Sequence, residues 1–184
     1  MKRLAILLVT FLFVLSAVHV QGQTQNASKE TKKEQKTEKK ELKKLEGVNV
    51  DPRAKSSFLT DFGNLPNVTW KRVATFDEAR FTSKDGKMMT AFYDSDGRLV
   101  GTTSPSAFTA LPAAAQTEIK NKYKDYTVGS VIFYDDNEIN ETDMVMYGIQ
   151  FDDSDNYFVE LTKGTGKIVL RVNPGGTVFF FKKL

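Results

Sequence analysis

The sequence predicts an α+β fold, built from tandem units that each contain one helix and about four antiparallel strands. Two short stretches carry apolar residues four positions apart, which is the spacing of one helix face. Each stretch is followed by short runs rich in β-branched and aromatic residues, separated by tight polar or Gly-containing turns. Because short hairpin loops join antiparallel neighbours, these runs should form a joined, curved antiparallel sheet with the helices on one face.

Residues 1–22 have the pattern of a signal peptide. Lys2 and Arg3 form a basic start, an apolar run extends from Leu4 to Val20, and cleavage fits either before Gln23 or after Val20. The alternative is a membrane anchor, since about 17 apolar residues lie at the lower limit for spanning a bilayer. We expect cleavage, export to the periplasm or the cell exterior, and no membrane span in the mature chain.

Residues 23–46 form a charged segment rich in Lys and Glu. The stretch from Lys29 to Glu46 holds eight Lys and five Glu. Pairs four residues apart, such as Glu30 with Glu34, carry like charges and disfavour a helix. With few apolar side chains to bury, the segment is predicted to be a disordered or weakly helical linker; contact with an anionic surface is the alternative.

The first helix of the folded domain is predicted to begin at Asp51-Pro52. Asp is a preferred N-cap residue, and Pro is tolerated at the first helical position because its missing N–H would have no partner there. Ala54 and Phe58 share one face, and Gly63 should end the helix.

Four strands are expected after this helix. Asp85-Gly86 and Asp96-Gly97 supply the residues that tight hairpins favour. Pro105 cannot donate a backbone hydrogen bond, so Ser104-Pro105 should end the fourth strand. The predicted strands are 68–75, 76–82, 87–93 and 98–103.

The second helix is predicted from Leu111, Ala115, Ile119 and Tyr123, which are four residues apart, with Pro112 at its start. Further strands should follow it. The same order of helix and strands thus occurs twice, which predicts one domain of residues 47–184 with subunits of about 47–105 and 106–184. The later predicted strands are 126–134, 143–151, 156–162, 167–172 and 177–181.

Composition argues against catalysis. The chain has no Cys, and its one His, His19, lies in the predicted signal peptide. The mature chain therefore lacks the usual zinc ligands, a thiol nucleophile and the side chain best suited to proton transfer near neutral pH. We expect that the chain is not an enzyme and that it has neither a cofactor nor a metal site.

The charge balance argues against nucleic-acid binding. The whole chain has 26 Lys and Arg against 23 Asp and Glu, but the basic excess lies in the signal peptide and the linker. The remaining domain is slightly acidic, so it offers no electrostatic attraction for phosphates.

Three local motifs carry a resemblance to a known family. Trp70 follows the turn at 64–67, the segment 91–99 reads Ala-Phe-Tyr-Asp-Ser-Asp-Gly-Arg-Leu, and Leu111-Pro112 opens the second helix. Over roughly residues 47–172 the chain resembles the PepSY-like, beta-lactamase-inhibitor-like domains of small exported proteins in Gram-negative bacteria. The resemblance implies tandem helix-plus-sheet units, a joined sheet that grips a protein partner, and no catalytic residues.

Aromatic side chains are the predicted binding residues. Two short helices cannot cover both faces of eight or nine strands, so some aromatic residues should lie on an open face, where Tyr and Trp suit recognition. The alternative for each is packing in the core. The predicted set is Trp70, Tyr93, Tyr147, Tyr157, Phe179 and Phe181.

Two functional hypotheses follow. The first is an exported, non-catalytic, inhibitor-like binding module that grips a protein or peptide on the open face of its sheet. The alternative is an envelope structural or chaperone-like protein that pairs with other chains through the terminal strand, 177–181.

Overall fold

Two helices and ten strands make up the part of the chain that the computed structural model describes, residues 50–73, 75–152 and 154–184. The predicted signal peptide (1–22) and linker (23–46) lie outside the described residues. In chain order the elements are α1 (Pro52–Asp61), β1 (Thr69–Val73), β2 (Phe76–Thr82), β3 (Met88–Tyr93), β4 (Leu99–Ser106), a 3₁₀ turn (Phe108–Ala110), α2 (Ala113–Lys122), β5 (Thr127–Asp136), β6 (Met144–Met146), β7 (Ile149–Phe151), β8 (Asn156–Lys163), β9 (Gly166–Val172) and β10 (Val178–Lys183).

Eight of these strands form one antiparallel sheet in the order β1-β2-β3-β4-β5-β8-β9-β10. Strands β6 and β7 pair with each other in a separate two-stranded sheet. The α+β class and the antiparallel sheet are therefore confirmed. The division into tandem subunits stays a prediction.

Helix α1 begins and packs as its sequence suggests. The carboxylate of Asp51 accepts a hydrogen bond from the N–H of Arg53 at 2.8 Å, and Pro52 occupies the first position. On the buried side, Ala54 and Phe58 meet a cluster on β2 and β3. Its buried members are Ala79, Phe81, Ala91 and Tyr93.

A buried ion pair anchors the start of α1 to the sheet. Asp77 of β2 lies 3.3 Å from the guanidinium of Arg72 on β1, and their side chains are 0% and 2% exposed. The same Asp77 carboxylate accepts a hydrogen bond from the N–H of Asp51 at 3.0 Å. Because both charges are shielded from water, losing either partner would leave the other buried and uncompensated.

Helix α2 packs on the other half of the sheet, on the same face as α1. Ala115 and Ile119 are buried in a cluster with residues of β5, β8 and β9: Val131, Val159, Leu161, Leu170 and Val172. Strand β4 relates the two halves, since Thr102 lies opposite Ala91 and Ser106 lies opposite Val131. Thr102 and Ser106 are an even number of residues apart, so both helix clusters lie on one face.

Strand β4 corrects one expectation. Ser104-Pro105 does not end it, because β4 continues to Ser106 and Pro105 pairs with Ile132 of β5. The ladder between β3 and β4 ends at the pair of Thr90 and Thr103. Pro105 therefore lies where β4 no longer has β3 as a neighbour, and a missing N–H donor costs little there.

The segment 143–151 corrects a second expectation. It is not one strand but a hairpin, in which β6 and β7 are joined by Tyr147-Gly148. Both turn residues have positive φ, 53° and 74°, as a type I′ turn requires. Gly148 adopts this conformation readily, but Tyr147 is an unusual residue for it, so the alternating pattern of the segment hid the turn.

The hairpin covers part of the helix-free face, which the sequence led us to expect bare. Met144 and Phe151 are buried there against Phe158 and Val169 of the sheet. These residues belong to a third hydrophobic cluster, which extends to Phe76 on β2 and Phe92 on β3. Beside the hairpin, within the described residues, an accessible groove remains over β1 to β5.

Candidate binding groove

A groove with a volume of about 740 Å³ lies on the helix-free face. Strands β1 to β5 form its floor and the tip of the β6–β7 hairpin forms one wall. Its lining includes Thr69, Lys71, Val73, Glu78, Arg80, Thr82, Met88, Thr90, Phe92, Thr103, Pro105, Ile132, Val145, Met146, Tyr147 and Gly148.

A row of polar side chains crosses the floor. Thr69 lies opposite Arg80, Arg80 opposite Thr90, and Thr90 opposite Thr103, so the row spans four strands. Directly opposite residues have Cβ atoms about 4.5–5.5 Å apart. Thr69 and Thr90 are therefore the direct cross-strand neighbours of Arg80, and Thr103 continues the row one strand further.

A second row runs beside the first. Lys71 lies opposite Glu78, and their charged groups form an ion pair at 3.2 Å. Glu78 in turn lies opposite Phe92, which belongs to the hydrophobic cluster of this face. The positive charge of Lys71 is thus compensated inside the groove.

Apolar side chains with large exposed areas lie along the groove. Met88 is 70% exposed, and both Val73 and Val145 are 38% exposed. A flexible thioether beside exposed β-branched residues suits contact with a range of apolar partners.

Tyr147 holds the hairpin wall in place. Its hydroxyl donates a hydrogen bond to the carboxylate of Glu160 at 3.1 Å, and the ammonium of Lys182 donates to its carbonyl. The ring also packs near Phe158 and Phe181, with centroids 6.2 and 6.5 Å away. Burial raises the pKa of the Tyr147 hydroxyl and the Glu160 carboxylate adds to the shift, so the hydroxyl stays a donor near neutral pH.

Trp70 and Tyr93 lie on the opposite face, beneath α1. The Trp70 ring packs 5.4 Å from Phe58 and 5.9 Å from Tyr93. Tyr93 is 0% exposed and its hydroxyl donates to Asp61 of α1 at 3.2 Å. Tyr93 is therefore buried in the core of this structure, and Trp70 does not lie on the helix-free face where it was expected.

The remaining predicted residues separate in the same way. Tyr157 belongs to the cluster beneath α2, with its ring 4.7 Å from Phe133. Phe181 packs against the cluster of the helix-free face, next to Tyr147. Tyr147 alone of the six predicted side chains is part of the described groove lining. A binding role for the six as a set stays a prediction.

Phe179 lies on β10, the edge strand named in the alternative hypothesis. Phe179 and Phe180 are 38% and 61% exposed, and the guanidinium of Arg171 lies 5.1 Å from the Phe179 ring. A register shift between Phe180 and Lys182, together with exposed Lys183, is the kind of feature that hinders pairing at sheet edges. Pairing through this edge stays a prediction.

Sequence reasoning missed Arg80, Thr90 and Met88, and the signal for the first two was the alternation of β2 and β3. Ala79, Phe81 and Ala91 are buried beneath α1, so Arg80 and Thr90 must face the other way. Choosing residues by aromatic character ignored this alternation. No sequence signal indicated that the hairpin would close one side of the groove.

The acidic residues at the end of β5 and in the loop after β7 are structural neighbours. The carboxylate of Asp155 accepts from the N–H of Asp136 at 2.9 Å. Burial raises the pKa of the Asp135 carboxyl, and the charges of Asp155, Glu138 and Asp136 add to the shift. Within residues 50–73, 75–152 and 154–184, no group of three or more acidic or histidine side chains is arranged to hold a metal ion.

Comparisons with known proteins bear on the fold. No protein-family model matches the chain, and no curated protein matches it. The crystal structure of a BLIP-like protein from Bacteroides fragilis NCTC 9343 matches with a TM-score of 0.56 at 17% identity, over 74% of this chain and 88% of that one. A protein proposed to be periplasmic, from Bacteroides eggerthii DSM 20697, matches with a TM-score of 0.59 at 13% identity, over 73% and 89%. A DUF2874 family protein from Bacteroides uniformis ATCC 8492 matches with a TM-score of 0.59 at 12% identity, over 73% and 90%.

This chain shares their fold. At identities between 12% and 17%, the likeness concerns the backbone arrangement and not the site. The BLIP-like fold supports the beta-lactamase-inhibitor-like part of the resemblance. The PepSY-like part stays a prediction.

Proposed function

We propose that the chain is an exported, non-catalytic binding module that holds a segment of a partner protein in the groove on its helix-free face. The observation that carries the proposal is the groove itself, about 740 Å³ in volume and lined by exposed apolar residues such as Met88. This volume falls within the range of about 300–1,000 Å³ that is common for ligand sites.

A binding role suits the chemistry of the groove better than catalysis does. The charged side chains along it are Lys71, Glu78 and Arg80. Lys71 and Glu78 are paired with each other, and an Arg guanidinium does not exchange protons near neutral pH. The mature chain supplies neither His nor Cys for acid–base or nucleophilic chemistry.

Export rests on the predicted signal peptide at residues 1–22. It is supported by the fold shared with a protein proposed to be periplasmic. Neither described helix has the length and apolar character needed to cross a bilayer. A partner protein, rather than a small solute, is supported by the BLIP-like fold and by a groove that extends over several strands.

The proposal is tested with a substitution in the groove, Met88→Glu. Because Met88 is 70% exposed, the change should leave the fold intact while placing a charge among apolar groove residues. We expect the native envelope fraction to yield a specific partner on wild-type bait, and at least tenfold less of it on the variant, measured by quantitative mass spectrometry.

The matched control is Ile139→Glu. Ile139 is 91% exposed and lies outside the groove, in the loop between β5 and β6. The control bait should recover the partner as the wild type does. Equal recovery from all three baits, with the variants shown to be folded by circular dichroism, would refute the assignment of the groove.

A further inference from the structure

We propose that the groove selects a partner segment in which an acidic side chain is flanked by apolar residues, and that Arg80 pairs with its carboxylate. This inference rests on the proposed function and specifies the chemistry of the partner at the same site.

The first argument is the net charge of the groove. Lys71 is neutralised by Glu78 at 3.2 Å, whereas Arg80 forms no ion pair within the described part of the chain. The groove therefore keeps one uncompensated positive charge, held by a side chain that can bind a carboxylate through two parallel hydrogen bonds.

The neighbours of Arg80 carry the second step. Thr69 and Thr90 lie directly opposite it on the two adjacent strands, and Thr103 continues the row. None of these three hydroxyls has a side-chain hydrogen bond among residues 50–73, 75–152 and 154–184. A guanidinium with hydroxyl donors on both neighbouring strands complements a group that only accepts hydrogen bonds, such as an ionised carboxylate.

The third argument is the apolar surface around Arg80. Thr82 lies two residues along β2 from Arg80, and Met88 of β3 lies opposite Thr82. Phe92 lies two residues along β3 from Thr90. Val145 and Met146 on the hairpin wall add further apolar surface. Arg80 is exposed in the free chain, and a partner that covers it together with these apolar side chains would exclude water and strengthen its attraction for a carboxylate. The apolar surface on both sides favours a chain segment with apolar residues on either side of its acid over a free small acid.

The probe is a random dodecapeptide library displayed on phage, selected on the full exported chain. We expect the enriched peptides to share an Asp or Glu flanked by apolar residues. A synthetic peptide of the enriched sequence should bind about tenfold more tightly than its Glu→Gln or Asp→Asn form, measured by calorimetry, because hydrogen bonds to an ionised carboxylate are stronger than those to a neutral amide.

Three variants of the chain complete the test. Arg80→Gln should abolish the preference for the acidic peptide, and Arg80→Lys should restore part of it. Lys84→Gln removes the same charge from the exposed turn between β2 and β3, outside the groove lining, and should keep the full preference. Circular dichroism of each variant separates loss of binding from loss of fold.

The failures are distinguishable. Peptides that lack an acid but lose binding in the Met88→Glu variant would overturn the role of Arg80 and leave the proposed function standing. A selection with no enriched peptide, or peptides indifferent to both Met88→Glu and Arg80→Gln, would overturn both.

Discussion

At the scale of single residues, the alternation along a strand decides what a side chain can do. Tyr93 has the chemistry of a binding residue, but its position on β3 places it beneath α1 at 0% exposure. Arg80 lies between buried Ala79 and Phe81 and therefore points to the groove. Sequence position within a strand is thus a better guide to the site than aromatic character.

Asp135 allows a prediction about pH. Partial desolvation and the neighbouring carboxylates raise the pKa of Asp135, an otherwise exposed residue, in the folded chain above its unfolded value of about 3.9. At a pH above the folded pKa, ionisation of Asp135 therefore lowers the free energy of unfolding. This destabilisation disappears as the pH falls below the unfolded pKa, where the carboxyl is protonated in both states. Asp135→Asn should raise the melting temperature at pH 7 by no more than about 3 °C, and the gain should vanish near pH 3.

Scanning calorimetry across this pH range checks the sign. Asp85→Asn, on the exposed turn between β2 and β3, is the control, because it removes the same charge away from the acidic loops. A gain for Asp135→Asn that grows as the pH falls would contradict the proposed cause.

At the scale of elements, the β6–β7 hairpin defines the groove. Its strands have three residues each, and an isolated hairpin of this size is not stable in water. It persists because Met144 and Phe151 are buried on the sheet and Tyr147 is bonded to Glu160. The wall of the groove therefore depends on tertiary contacts.

The turn of this hairpin provides a second prediction. Gly148→Ala places a Cβ on a residue with φ of 74°, which should lower the free energy of unfolding by about 1 kcal/mol. Since the same turn positions Tyr147, affinity for a groove-binding peptide should fall as well. Urea unfolding and calorimetry measure the two effects.

Gly175→Ala is the matched control, because Gly175 lies in the loop before β10 and does not have positive φ. It should leave peptide affinity unchanged. If Gly148→Ala lowered stability without weakening the peptide, the hairpin turn would not be shaping the groove.

At the scale of the whole described domain, one sheet connects the clusters beneath α1 and α2. Each strand from β1 to β10 in this sheet pairs with its neighbours in the strand order, and β4 pairs with β5 over six residue pairs. A third cluster on the other face includes residues of β2, β3, β5, β8 and β9. This arrangement predicts that the two proposed subunits unfold together.

The single tryptophan makes this testable. Trp70 reports on the cluster beneath α1, whereas far-UV circular dichroism reports on the whole sheet. Thermal and urea transitions followed by the two signals should coincide, as in two-state unfolding. A fluorescence transition that precedes loss of the dichroism signal would instead indicate that 47–105 and 106–184 unfold separately.

Helix starts and hairpin turns could be predicted from the sequence for much of the fold. Asp51-Pro52 predicted the start of α1, and the Asp-Gly pairs predicted the hairpins after β2 and β3, because caps and tight turns depend on residues close in sequence. The prediction that Pro105 would end β4 was wrong, because the energetic cost of its missing N–H donor depends on which strand lies beside it. The turn at Tyr147-Gly148 was not predicted, because tyrosine is rarely found at positive φ and is held in this conformation by residues distant in sequence.

The sequence by itself determined the α+β class, the helix positions, most strand boundaries, and the absence of Cys from the chain and of His from residues 20–184, since these depend on composition and short-range periodicity. The tertiary structure alone decided that the hairpin covers part of the helix-free face, that Tyr93 is buried beneath α1, and that Arg80 lies in a row with Thr69, Thr90 and Thr103. The physical reason is register: the pairing of strands far apart in the chain sets which side chains become neighbours, and no local pattern encodes it.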